Sequence, residues 1–252
     1  MKIALSVFPI YPEIQLALSK MKDCIIKAAD HNCDLIIFPE ACLTGLGISG
    51  NFIEDKEIGL SLDSLEIRSI IDCAQEFKIH IVFGLIELIN NSLFDSALLI
   101  DDQGDILLHY RRIHRGWTYP HTDPKIYRCG TEVKFAETRL GKITLLICGD
   151  LGEPYIVDTI SKSDADYIIY PFARAINTHS EIHSYWDLEM QDYYLKHWQE
   201  LGKSILAVNA IDLDIPSRDE FYCGGAWIID PSGKVIASKP ILEEGLLIQE
   251  LG

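Results

Sequence analysis

The stretch Leu145-Leu146-Ile147-Cys148-Gly149-Asp150 constrains this chain more than any other. A short run of aliphatic residues reads as a buried strand, and the carboxyl end of such a strand is where an α/β sheet places reactive groups. Cys148 stands at that end, followed by a glycine and a carboxylate, which makes it a candidate nucleophile. Taken alone, a buried cysteine is more often a small hydrophobe of the core. The rest of the chain decides between the two.

Further runs of the same kind recur in order. Residues 2–8 read as a first strand, and Ile14, Leu16, Leu18, Met21, Ile25 and Ala28 give residues 13–29 one buried helical face. Residues 34–38 form a second strand, so a β-α-β unit closes with Glu40 at its carboxyl end, after Pro39. Gly45, Gly47 and Gly50 mark a loop. A helix is predicted over 64–77, with Asp63 or Ser64 as its N-cap. Strands follow at 79–85, 93–101 and, after the turn at 102–105, at 106–110. Residues 111–129 are rich in His, Pro, aromatic and basic side chains without a period, as functional loops often are. Strands at 144–148, 167–170 and 205–209 then alternate with helices at 154–161 and about 181–201, and the tail is β at 225–230, 235–238 and 245–248. The alternation argues an α/β fold, and the hairpin-like segments argue a mixed sheet.

Composition excludes several classes. With 48% hydrophobic residues in 252, and no Pro/Gly/Ser-rich linker, residues 1–252 read as a single domain with one large core. The net charge of −16 repels phosphate backbones and anionic lipid, so neither nucleic acid nor membrane is an expected partner. Seven scattered cysteines without a CxxC pair indicate neither a disulfide framework nor a zinc cluster, and reduced thiols in a cytoplasm fit best. Pro9 and Pro12-Glu13 break the signal-peptide flavour of the first residues, and no apolar run reaches the length of a membrane span. His179 and His183, four apart, lack a third metal-ligating neighbour, and a solvated helix start is their better reading.

Three segments carry the chemistry: Ile37-Phe38-Pro39-Glu40-Ala41 with Thr44-Gly45, then Tyr110-Arg111-Arg112-Ile113-His114, then Ile147-Cys148-Gly149-Asp150. With Tyr170-Pro171 and the tail from Gly224-Gly225 to Ser232-Gly233, the chain resembles the nitrilase superfamily, the carbon–nitrogen hydrolases, over nearly its whole length. The resemblance implies an α-β-β-α sandwich, a homodimer formed through one helical face, no cofactor, and a small amide or carbamoyl compound as substrate. It also implies Glu40 as general base, Cys148 as nucleophile, and a cation at position 112. An amide carbon is a poor electrophile, so a sulfur must attack while one group takes its proton and another stabilises the oxyanion. The backbone N–H of Gly149 is one candidate oxyanion donor.

The sequence departs from the family at two of these places. Arg112 stands where the family has a lysine. A guanidinium keeps the charge but is bulkier and prefers to grip a carboxylate in two places, so it either supports the thiolate or locks Glu40. Asp123, counted back from Gly130, stands where many members carry a further glutamate. His114, Trp117 and Tyr119 either line the substrate pocket or merely cover the sheet. Phe172 and Arg174, beyond a strand end, are candidates for binding an anionic or carbonyl group, a surface ion pair being as good a reading for Arg174. A pocket that binds or regulates without turnover is the alternative function, and acyl transfer to an amine is a third.

Overall fold

The computed structural model describes residues 1–176, 186–188, 190–212 and 220–252. Its strands are β1 (Lys2–Val7), β2 (Leu35–Ile37), β3 (His80–Ile89), β4 (Ser92–Ile100), β5 (Ile106–Arg111), β6 (Phe135–Thr138), β7 (Gly141–Leu145), β8 (Tyr167–Phe172), β9 (Ala175–Ile176), β10 (Ser204–Asn209), β11 (Phe221–Tyr222), β12 (Ala226–Ile229), β13 (Val235–Lys239) and β14 (Gly245–Glu250). Among the described residues they form two six-stranded mixed sheets, ordered β14-β1-β2-β3-β4-β5 and β13-β12-β10-β8-β7-β6, and a small β11-β9 ribbon. Each large sheet has a parallel centre, β1-β2-β3 in one and β7-β8-β10 in the other, with antiparallel strands at its edges. The parallel strands are buried on both faces, which is why they read as continuous apolar runs.

Helices α1 (Ile14–Asp30) and α3 (Leu65–Phe77) flank the short α2 (Phe52–Asp55), and α4 (Pro154–Ser161) and α5 (Lys196–Leu201) follow. The predicted N-cap of α3 forms, with Ser64 Oγ accepting from Ile67 N at 3.3 Å. Met21, Ile25, Ile67 and Ile70 of α1 and α3 bury against Ala4, Ile36, Ile81 and Phe83 of the first sheet. The alternate residues Ile3, Leu5, Ile37 and Val82 face the second sheet, in a cluster that includes Leu145, Ile169 and Leu206 and is closed by Ile156, Trp198 and Leu201 of the later helices. The result is the expected α-β-β-α layering.

Several boundaries differ from the sequence reading: β3 runs on to Ile89, β8 to Phe172, and β6 was not foreseen; two further differences bear on the site. Strand β7 ends at Leu145 and Cys148 opens a short 3₁₀ turn, because Ile147 N is taken by the Asp150 carboxylate at 3.1 Å instead of a neighbouring strand. The helix predicted over about 181–201 is not one regular helix. Residues 181–185 and 189 lie outside the described residues, as do His179 and His183, and Met190–Leu195 is π-helical before α5 begins. The adjacent Tyr193 and Tyr194 rings stand at 87° to one another, both lining the pocket described below, with Tyr194 also packed at a tilt against Trp186, Trp198 and Phe172. No helix among the described residues is long and apolar enough to cross a membrane.

The alternation along β5 sends the adjacent Arg111 and Arg112 to opposite faces. Outward, Arg111 holds the buried Glu87 with two hydrogen bonds of 2.8 and 2.6 Å, with Ser96 Oγ and His109 Nε2 at 2.8 and 2.9 Å completing the shell. Burial alone would raise this carboxyl, but these partners win and bring it from 4.5 down to about 2. A lowered acid contributes stability above its unfolded pKa, and that contribution fades as pH falls from about 4.5 to about 2. Wild type should therefore exceed Glu87→Gln by up to about 3 kcal/mol at neutral pH, with the gap closing towards about pH 2, read from urea midpoints across pH.

Candidate active site

Glu40 sits just past β2, where the chain turns sharply back against β3. Ala41 adopts φ +46°, and the backbone passes so close to Gly84 that a Cβ there would collide with Ala41 N and lie 2.9 Å from the Glu40 carbonyl carbon. The glycine in β3 therefore sets the height of the Glu40 side chain, which is 1% exposed.

Arg112 follows β5, its N–H bonded to Asp95 O on β4 at 2.8 Å. Inward, its guanidinium splits its fork. Nη1 donates to Glu40 Oε1 at 2.6 Å and to Asp95 Oδ2 at 3.3 Å, while Nη2 lies 3.4 Å from His114 Nδ1. A Cβ on Gly149 would run into His114 Nδ1 and stand 2.8 Å from Nη2, so Nη2 flanks the peptide that follows Cys148. Burial opposes the Arg112 charge, but Cys148, Glu40, Asp95 and Asp150 around it raise its pKa above the ordinary arginine value. It is a fixed cation.

Cys148 is held at φ +45°, a left-handed conformation rare for any residue with a side chain. Two anchors impose it. Tyr170 Oη donates to Cys148 O at 2.7 Å, and the buried Asp150 accepts from Ile147 N, Tyr110 Oη, Ile113 N and His114 N at 3.1, 2.8, 2.9 and 2.7 Å. Asp150 thus ties the turn carrying the sulfur to the segment carrying Arg112. Burial pushes its carboxyl up from the ordinary value against the pull of those donors.

The Cys148 thiol is pushed up to about 12, by burial first and the Glu40 charge second, with Arg112 and the Ala173 N–H pulling the other way. The resting sulfur is therefore protonated at neutral pH, and a nucleophile made from it needs a base beside it. On Asp95, burial and the charge of Glu40 hold the carboxyl well above the usual carboxylate range, against Arg112.

Glu40, Arg112, Cys148, Gly149, His114, Trp117, Tyr119 and Arg174 all line one open cavity of about 1520 Å³. The backbone of Arg174 is fixed by Asn209, whose Oδ1 accepts its N–H at 2.8 Å and whose Nδ2 donates to Gly224 O at 3.1 Å. Gly224 and Gly225 both have positive φ, and a Cβ on Gly225 would collide with the Trp227 ring, so this pair packs against its own strand.

Two expected residues are placed elsewhere. Asp123 is exposed and absent from the lining, its Oδ1 accepting from Lys125 N at 2.8 Å to close a turn. Phe172 is the last residue of β8, two past the predicted strand end, and is fully buried with its ring 4.9 Å from that of Tyr170. It packs behind the site. Asp95 was not singled out by the sequence reading, and Asp150 and Tyr170 entered it only as parts of motifs, without a role of their own. The signal for Asp95 was a lone carboxylate in the apolar strand 93–100, in register with Arg112 across β4 and β5. No group of three or more His, Cys, Asp or Glu side chains among the described residues is arranged to hold a metal ion.

Comparison with known proteins gives the same frame. A probable nitrilase of Schizosaccharomyces pombe is 25% identical over 240 residues, covering 93% of this chain and 82% of that protein. An amidase from Nesterenkonia sp. superposes with a TM-score of 0.80 at 19% identity, covering 100% of this chain and 90% of that one. A glutamate-to-glutamine variant of the Nesterenkonia amidase, described as showing Michael addition of acrylamide at its active-site cysteine, gives a TM-score of 0.79 at 19% identity, over 100% of this chain and 93% of the other. The carbon-nitrogen hydrolase family model matches residues 2–252, a span that includes both sheets and every side chain of the pocket floor, and on that match the chain belongs to the carbon–nitrogen hydrolase family.

Proposed function

We propose that the protein hydrolyses a small amide or carbamoyl compound through a thioester on Cys148. The observation that carries this reading is the convergence of a protonated sulfur, a buried carboxylate and a fixed cation on one cavity floor. Glu40 takes the Cys148 proton as Sγ attacks the carbonyl carbon, and returns it to the leaving nitrogen as the C–N bond breaks. Water, activated by the same carboxylate, then releases the acid. Arg112, in the position of the family's lysine, keeps Glu40 in place through Nη1 and offers Nη2 on the side where the oxyanion forms, together with the Gly149 N–H. His114, Trp117 and Arg174 contact the remainder of the substrate.

The 2.6 Å Arg112–Glu40 ion pair also supports a second reading, in which the base is held too firmly for turnover and the pocket only binds. Incubation with a panel of small amides, followed by intact-protein mass and ammonia release, separates them. The hydrolase reading expects ammonia from at least one amide and a mass adduct that maps to Cys148 and is lost in Cys148→Ala. Ligand binding without adduct or ammonia would instead establish the binding module.

A further inference from the structure

One guanidinium nitrogen at the pocket floor serves two carboxylates. Arg112 Nη1 reaches Glu40 at 2.6 Å and Asp95 at 3.3 Å, from the end of β2 and the middle of β4 respectively. Each carboxylate keeps one buried oxygen, Glu40 Oε2 and Asp95 Oδ1, without a hydrogen-bond partner among the described residues, and both side chains are buried. The other titratable groups around them are Cys148 on the turn after β7, His114 beyond Arg112, and Tyr110, Tyr170 and Asp150 behind it. Asp150 is satisfied by four donors of its own. Among the described residues the excess negative charge therefore falls on Glu40 and Asp95, with Arg112 between them. Two buried carboxylates drawn to one guanidinium nitrogen relieve their repulsion when a single proton is shared between them.

We propose that Glu40 and Asp95 form one carboxyl dyad that keeps a proton on Asp95 throughout the reaction, making Asp95 a positioning residue that holds Glu40 as the base for Cys148. The held proton leaves the dyad and Arg112 with no net charge, so the sulfur ionises beside a neutral cluster. In acylation the S–H bond breaks towards Glu40, the S–C bond forms, and the C–N bond breaks as the nitrogen takes that proton. In deacylation the water oxygen bonds to the carbonyl carbon, its proton passes to Glu40, and the C–S bond breaks with the proton returning to sulfur. The Asp95 proton is neither consumed nor supplied. The raised Asp95 carboxyl agrees with this arrangement.

The inference rests on Glu40 being the base, and the test separates the two. The rate of Cys148 alkylation by iodoacetamide, located by peptide mass, is followed from about pH 6 to about pH 10 in wild type, Asp95→Asn and Glu40→Gln. At high pH the wild-type dyad loses its proton and places a charge beside the sulfur, whereas asparagine has none to lose. The ratio of the Asp95→Asn rate to the wild-type rate should therefore rise by about tenfold or more across this range. A constant ratio, with no protonated-carboxyl infrared stretch from aspartate at about pH 10 and with amide turnover lost in Glu40→Gln, overturns the dyad and leaves the hydrolase reading standing. If Asp95→Asn does not fold, wild type labelled with carbon-13 at its aspartate carboxyls gives a second answer. A protonated-carboxyl stretch in its infrared spectrum at neutral pH that shifts in Glu40→Gln supports the dyad, and its absence, or a stretch that Glu40→Gln leaves unmoved, overturns it.

Discussion

Glu40→Gln should reduce turnover by about 10³-fold while leaving substrate affinity within a few-fold, because the amide keeps the hydrogen bond to Arg112 and loses only the capacity to carry a proton. The Cys148 thiol makes the size of the effect understandable. Burial alone already pushes that thiol up, so thiolate is scarce at neutral pH and spontaneous ionisation does not replace the base. Single-turnover mixing with an amide that turns over, followed by intact mass, shows which half of the reaction is slowed more. If the water step depends on Glu40 more than the sulfur step does, the thioester accumulates in the variant. Unaltered turnover would remove Glu40 from the mechanism.

Arg112→Met carries the second large effect. Methionine fills the space of the arginine stem and leaves Glu40 and Asp95 facing one another in a closed site with no cation. Removing one partner of a buried ion pair costs about 3 to 5 kcal/mol, chiefly through the charge left behind. The urea midpoint should fall by that equivalent at neutral pH. The loss should shrink as pH drops, since a second proton on the dyad neutralises the one charge left without its cation. An unchanged midpoint would mean that the pocket admits enough water to solvate both acids. Activity should fall with stability, since Nη2 is lost from the side of the oxyanion.

The buried central strands were legible because apolar runs followed by Pro39-Glu40 and by Cys148-Gly149 report burial together with termination within a few residues. The meeting of Glu40, Arg112 and Cys148 in one cavity followed from the family pattern those residues carry. What escaped the reading has definite physical causes. Asp123 was placed by counting residues across an irregular loop, where no period links sequence spacing to direction. That loop is instead fixed by contacts that spacing does not encode, such as Arg115 Nη1 and Nη2 to Tyr127 O and Thr122 O at 3.0 and 2.9 Å, and Tyr127 Oη to Asp55 at 2.6 Å. Phe172 was misplaced because β8 continues through Pro171, and proline usually marks the end of a central strand. Asp95 was passed over as one polar residue in an apolar strand. Its significance appears only when β4 is laid beside β5 and the alternation turns it towards Arg112.

The left-handed backbone at Cys148 has an evolutionary corollary. An L-residue in that conformation gives up on the order of 1 kcal/mol relative to glycine, so a descendant lineage with no use for the sulfur would drift towards glycine at this position and gain folding stability by doing so. On the proposed hydrolase reading, the side chain at this point in the chain is held there by its sulfur, against the preference of the main chain that carries it.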